Sequence, residues 1–150
     1  ERVKGWMREL IEKGSYTIDP ELLRSIQSTF IGEWVAEDEV RLTIANAYHT
    51  DHRLIDPHTA VALAAAHRHP SPRPILVTST ASPFKFPATV LHALDQAVDP
   101  DDAINLHRLE TISGHSCPSA LRTSLHSPVI HTQQLDPTDI VEYLLRKEPQ

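Results

Sequence analysis

The sequence predicts an α/β fold, mostly helices around a small number of buried parallel strands, and three observations carry that expectation. The first is the run from Ile75 to Thr78, Ile-Leu-Val-Thr, apolar and β-branched and preceded by Pro72 and Pro74. A half-solvated strand would alternate, so an unbroken run reads as a strand buried on both faces. The second is the turn that follows, small and polar from Ser79 to Ser82 and punctuated by Pro83 and Pro87, before a helical stretch from Ala88 to Ala97. The third is the helix that precedes the run, Pro57 to about His67, dense in alanine and stopped by Pro70. Helix, tight loop, strand, polar turn and helix make half of a doubly wound unit.

The remaining elements follow from four Asp-Pro pairs, at Asp19, Asp56, Asp99 and Asp136. Asp at an N-cap satisfies orphan N–H groups and Pro at the first helical position presets φ, so each pair predicts a helix start. A first helix is expected over Val3 to Glu12, closed by Gly14, and a second over Pro20 to Phe30, with Leu22, Leu23, Ile26 and Phe30 on one face. Glu37 to Tyr48 reads as a third, aligning Val40, Ile44 and Ala47, and Pro57 to His67 is the fourth. Asp101 to Thr111 is helical in pattern, whereas Ser113 to Ser127, rich in Ser, Pro, Gly and His, reads as loop. Val129 to Leu135 has strand character, and Thr138 to Arg146 is an amphipathic helix.

Composition bounds the function. A chain of 150 residues fits one domain, and a net charge of -6 argues against non-specific nucleic-acid binding, which needs a basic face. No apolar run approaches membrane-spanning length and no signal peptide opens the sequence, so no membrane partner is expected. The single Cys117 suits a reducing compartment, here taken as cytoplasmic. The sequence starts at Glu1 without Met, directly in helical periodicity, and one strand cannot form a sheet alone. Both features lead to the expectation of a fragment of something longer.

Known chemical signatures are mostly missing. The ten histidines lack structural-zinc spacing, and one cysteine cannot supply the paired ligands, so no metal site is expected. There is no G-x-S-x-G elbow, no G-x-G-x-x-G and no Walker loop. The hydroxyls of Thr78, Ser79, Thr80 and Ser82 stand where an open α/β sheet places its ligands, at the carboxyl end of a strand before a helix. They read equally as ordinary caps of a strand-to-helix connection. Lys85 is the lysine nearest this turn, and a cation near a helix N-terminus would gain from an anionic partner.

Asp56-Pro-His-Thr-Ala-Val-Ala62, followed by Ser79-Thr-Ala-Ser-Pro-Phe-Lys-Phe-Pro87, resembles the C-terminal portion of threonine synthases and threonine synthase-like proteins. The family carries a D/E-P-H-x-A-V helix and, about twenty residues on, a T-A-H-P-x-K-F turn, and the order and spacing match here. The resemblance is strong from Leu54 to Leu94 and loose after Asp99. It implies a fold-type II lyase using pyridoxal 5′-phosphate (PLP), converting O-phosphohomoserine and water to threonine and phosphate in threonine biosynthesis. The alternatives are a phospho-lyase acting on a related phosphorylated amino acid, or a non-catalytic truncated form that binds a partner.

The resemblance further implies residue roles. Thr80 would contact the pyridine nitrogen of PLP, with Ser79, Ala81 and Ser82 shaping that wall. Lys85 and His58 would face a small phosphorylated amino-acid substrate. Ser82 stands where the family has histidine. The family's lysine that binds PLP covalently lies in its N-terminal portion, so no catalytic residue is assigned here and these residues alone are expected to be inactive. The N-terminal portion of the same enzyme is the expected partner. Residues 1–53 would form a helical region, 54–98 the cofactor-site segment and 99–150 a C-terminal extension of one domain.

Overall fold

The computed structural model describes all residues except 131, 133 and 147–150. Asp-Pro punctuation sets two helix starts as expected. Asp19 accepts from the backbone N–H of Leu22 at 2.9 Å and opens α2 (Pro20–Gln27). Asp56 accepts from the N–H groups of His58 and Thr59 at 2.9 and 3.3 Å and opens α4 (Pro57–Arg68). Ahead of them, α1 (Arg2–Lys13) ends at Gly14, whose φ of 74° places it in the left-handed region where a Cβ would be strained. Between them, α3 (Glu37–Asp51) carries Glu37, Asp38 and Glu39 in its first turn, where acidic charge complements the dipole.

The third Asp-Pro pair works differently. Asp101, not Asp99, caps α6 (Asp102–Ser113), accepting from Ala103 N–H at 2.8 Å. Asp99 is instead clamped by the buried Asn105, which accepts from its N–H and donates to its carbonyl, both at 2.8 Å. Preceding α6, α5 (Pro87–Ala93) ends short of Ala97 because the chain turns left-handed at Asp95, with φ 54°. The fourth pair holds a turn, with Thr138 N–H and Oγ1 both donating to Asp136, before α8 (Ile140–Arg146).

The core lies among α3, α4, α5 and α6, where α3 packs on α4 and α5, and α5 on α6. Ile44, Ala60, Val90, Leu91 and Leu109 are wholly buried there, joined by Val40, Phe84, Leu106 and Cys117. The alanine-rich α4 buries only Thr59, Ala60 and Ala64 fully, so one face and not the whole helix meets the core. Helices α1 and α2 bury no residue, and α1 touches the connection to α2 through a Trp6–Tyr16 ring stack and an ion pair of 3.3 Å from Arg2 to Asp19, the N-cap of α2. At the other end of α4, Arg68 bonds Glu33, Glu39 and the Trp34 carbonyl, and His69 pairs with Glu33 at 2.6 Å. The His69 hydrogen bond, then that of Arg68, holds the Glu33 carboxyl below its ordinary pKa.

Three expectations fail. The α/β architecture with buried parallel strands is not formed: among the described residues the structure is helical, with no strand and no sheet. Residues 75–78 run without regular structure, Leu76 is 92% exposed and Ile75 is 49% exposed, so the apolar run is not a buried strand. A strand needs a neighbour to take its backbone groups, and no other segment of these residues lies beside this one in a ladder. The strand character of 129–135 fails for the same reason among the described residues. Val129 and Ile130 are exposed and irregular, while His131 and Gln133 lie outside the described residues. The expected loop from Ser113 to Ser127 contains a helix instead, α7 (Ser119–His126). Glu110 anchors its entry, accepting from Cys117 N–H at 2.7 Å and from Arg122.

Burial predicts a sharp contrast between two leucines. Leu91→Ala should cost about 2–5 kcal/mol by opening a cavity in the core, whereas Leu76→Ala should change stability by less than roughly 0.5 kcal/mol. Urea unfolding of both variants measures the difference, and equal losses would refute the placement of Leu76 in solvent. A second expectation concerns Asp56, which is fully buried. Burial pushes its carboxyl up, but hydrogen bonds from Thr59 Oγ1, Thr59 N–H and His58 outweigh that and hold it below the ordinary value. A lowered folded pKa contributes stability that is complete above the ordinary Asp pKa of about 4 and fades as pH falls through the folded value. Asp56→Asn should flatten that part of the acid-unfolding profile, and Asp56→Ala should cost about 1–3 kcal/mol at neutral pH.

Candidate functional site

The site begins at the N-terminus of α4. Asp56 presents one carboxylate oxygen to the His58 N–H and Thr59 N–H, and the same oxygen lies 3.2 Å from His58 Nδ1. Its other oxygen accepts from Thr59 Oγ1, and that hydroxyl lies 2.9 Å from Ser79 Oγ. An ionised carboxylate only accepts and a hydroxyl carries one proton, so the Thr59 proton goes to Asp56 and Ser79 donates to Thr59. A chain of hydrogen bonds thus runs from the exposed Ser79 through the buried Thr59 to the buried Asp56. It ties together two motifs twenty residues apart.

A second contact fastens the same two segments. The His58 ring packs on Phe86 with centroids 5.0 Å apart and a tilt of 53°. The intervening turn is built by alternation. Pro83–Lys85 forms one 3-10 turn, capped by Ser82 Oγ accepting from Phe84 N–H at 3.3 Å. Phe84 enters the core, Lys85 points to solvent and Phe86 meets His58.

The predicted site residues therefore divide. Ser79 and His58 are brought to the α4 start by direct contacts. Thr80, next to Ser79, is exposed and makes no side-chain hydrogen bond among the described residues. Ala81 and Ser82 are half-buried, and the Ser82 hydroxyl is engaged as a cap. Lys85 is exposed and its ammonium has no ion pair among the described residues. No group of His, Cys, Asp or Glu able to hold a metal ion occurs among the described residues.

Beside Ser79 opens a cleft of about 560 Å³ lined by Ala47, Asp51, Arg53, Ile55, Thr59, Leu63, Val77 and Ser79. Sequence reasoning missed Asp51 and Arg53, which straddle the left-handed residue His52 (φ 53°) at the C-terminus of α3. Thr59 was quoted only as part of a motif. The Asp-x-x-Thr spacing at a helix start was the signal for its bond to Asp56.

Residues 59–115 match the family model described as threonine synthase, C-terminal. The threonine synthase of Schizosaccharomyces pombe is 35% identical over 99 residues, 63% of this chain and 19% of that protein. Human threonine synthase-like 1 is 34% identical over 80 residues, covering 53% of this chain and 11% of that protein. Among solved structures, the PLP-bound threonine synthase of Brucella melitensis aligns with a TM-score of 0.56 and 35% identity, over 67% of this chain and 21% of that one. The chain spans about a fifth or less of the length of these relatives. From Thr59 to His115 this chain is thus similar to the C-terminal part of threonine synthases, the family its two motifs resemble.

Proposed function

We propose that these residues form the C-terminal part of a PLP-dependent lyase that converts O-phosphohomoserine to threonine and phosphate. One observation carries the reading: the α4 start and the 79–86 turn, the two segments that hold the family motifs, are fastened to each other through Thr59–Ser79 and His58–Phe86, while Thr80 is left uncommitted beside them. The names of the relatives support threonine synthesis and PLP, and the resemblance of the motifs suggests O-phosphohomoserine as the substrate. On this reading residues 54–98 carry the cofactor side of the site, residues 1–53 and 99–150 frame it, and the protein works in the cytoplasm with the N-terminal portion of the same enzyme.

The donor set fits PLP on one wall. A pyridine nitrogen is a neutral acceptor, and the Thr80 hydroxyl is a neutral donor with no competing partner among the described residues. When bound, PLP supplies an electron sink for carbanion chemistry at the amino-acid substrate. Thr80 would hold the ring nitrogen without forcing a full positive charge on it, which moderates that sink. Ser79 would fix the turn through Thr59, and Ala81 and Ser82 would complete the wall. Lys85, with an ammonium free of an ion pair among the described residues, would offer its charge to the substrate phosphate. His58, held on Asp56 and Phe86, would orient the substrate side.

The test uses the natural polypeptide that contains these residues, purified intact, with PLP content and phosphate release from O-phosphohomoserine as readouts. Bound PLP together with release is the expected result, and the lack of both would overturn the reading. In that protein Thr80→Val should lower kcat by about tenfold or more, as expected for a lost hydrogen bond to the reacting system, with folding unchanged because Thr80 is exposed. Unaltered turnover would remove Thr80 from the cofactor. Lys85→Gln should raise KM more than it lowers kcat.

A further inference from the structure

The cleft between α3 and α4 has the composition of a recognition site for a molecule carrying both charges. One rim holds Asp51 and Arg53, two residues apart across the turn at His52. Neither side chain makes an ion pair or hydrogen bond among the described residues, with each other or with any neighbour. Two opposite charges that line one cleft without neutralising each other leave a carboxylate and a guanidinium available to a ligand. The guanidinium forks onto a carboxylate, and Asp51 accepts from an ammonium.

Two further features set the polarity. Asp51 is the last residue of α3, where unpaired carbonyls and the negative end of the helix dipole favour a cation. The Arg53 N–H turns back onto the Ala47 carbonyl at 3.0 Å, which fixes the backbone from which its side chain projects. The floor is aliphatic, made by Ala47, Ile55, Leu63 and Val77. Ser79, which also lines the cleft, spends its Oγ proton on Thr59, so its lone pairs stay open to a donor. A volume of about 560 Å³ lies within the range of small-molecule sites, which is roughly 300–1,000 Å³.

We propose that this cleft binds a free α-amino acid with an aliphatic side chain, its carboxylate on Arg53, its ammonium on Asp51 and its side chain over Ile55, Leu63 and Val77. The inference goes beyond the proposed lyase reaction: it uses neither Thr80 nor Lys85, needs no cofactor and shares only Ser79 with the proposed cofactor wall. It adds a second small-molecule site, bordered by the Thr59–Ser79 bond.

The experiment is a methyl-detected NMR titration of the full chain with L-leucine, watching the Ile55, Leu63 and Val77 methyl groups. Saturable shifts confined to those methyl groups are expected. The two half-ligands 4-methylpentanoate and 3-methylbutylamine, each lacking one charge, should bind at least about tenfold more weakly, as should L-leucine to Arg53→Gln and to Asp51→Asn. Both substitutions are at exposed positions, and an unchanged methyl spectrum before titration verifies that each variant is folded. No shift up to about 10 mM, where even a weak site would be occupied, would overturn the proposal. Equal binding of 4-methylpentanoate and L-leucine would overturn it too, because Asp51 would then have no role. Loss of PLP binding or of phosphate release in the natural polypeptide would leave this result untouched, so the two readings fail separately.

Discussion

The buried carboxylate of Asp56 is the interaction on which the middle of the chain depends. A charge without solvent is costly unless every lone pair is used, and here the α4 backbone, the Thr59 hydroxyl and the His58 ring use them. The same carboxylate starts the helix and fixes the Thr59 hydroxyl, and that hydroxyl receives Ser79. A segment with no regular structure of its own is thereby held against the bundle. Its downstream end is held by packing, as Phe84 enters the core and Phe86 meets His58.

Around this link the bundle is built from a few well-buried positions. Ile44 of α3, Ala60 of α4, Val90 and Leu91 of α5 and Leu109 of α6 make one apolar unit, and the small Ala60 and Ala64 let α4 approach its neighbours closely. The α6–α7 connection joins it through Cys117, whose N–H is taken by Glu110. Tyr48 closes the same side by donating its hydroxyl to the Ile112 carbonyl at 2.7 Å. Charges gather instead at the far end of α4, where Arg68 and His69 collect Glu33 and Glu39.

Capping chemistry was the most legible part of the sequence. Asp19-Pro20 and Asp56-Pro57 start helices as local physics requires, and Gly14 ends one. At Asp99 the same signal misplaced the start by two residues, because Asp101 competes for the role and Asn105 captures Asp99. Helix α7 was hidden by Pro118 and by serines, which favour loops unless a tertiary partner intervenes, and Glu110 is that partner. The largest error was the Ile75–Thr78 run. Apolar β-branched sequence states a preference for pleated, covered surroundings, but a strand is a property of a pair of segments, and its partner is not written in its own residues. For the candidate site, the motifs singled out the two segments that the Thr59–Ser79 and His58–Phe86 contacts join. Asp51 and Arg53 gave no pattern of their own, since only the left-handed turn between them brings both to one cleft.

The uneven distribution of burial has a consequence for motion. Helix α1 is tied to the connection before α2 by one ring stack and one exposed ion pair, and neither helix buries a residue. Their amides are protected only by local hydrogen bonds, so opening there requires none of the free energy stored in the α3–α6 core. Amide exchange would accordingly run on two clocks, fast from Arg2 to Gln27 and slow through Ile44, Leu91 and Leu109. The first 27 residues would behave as an appendage that fluctuates on its own schedule, while the Asp56-centred bundle opens only when the whole of it unfolds.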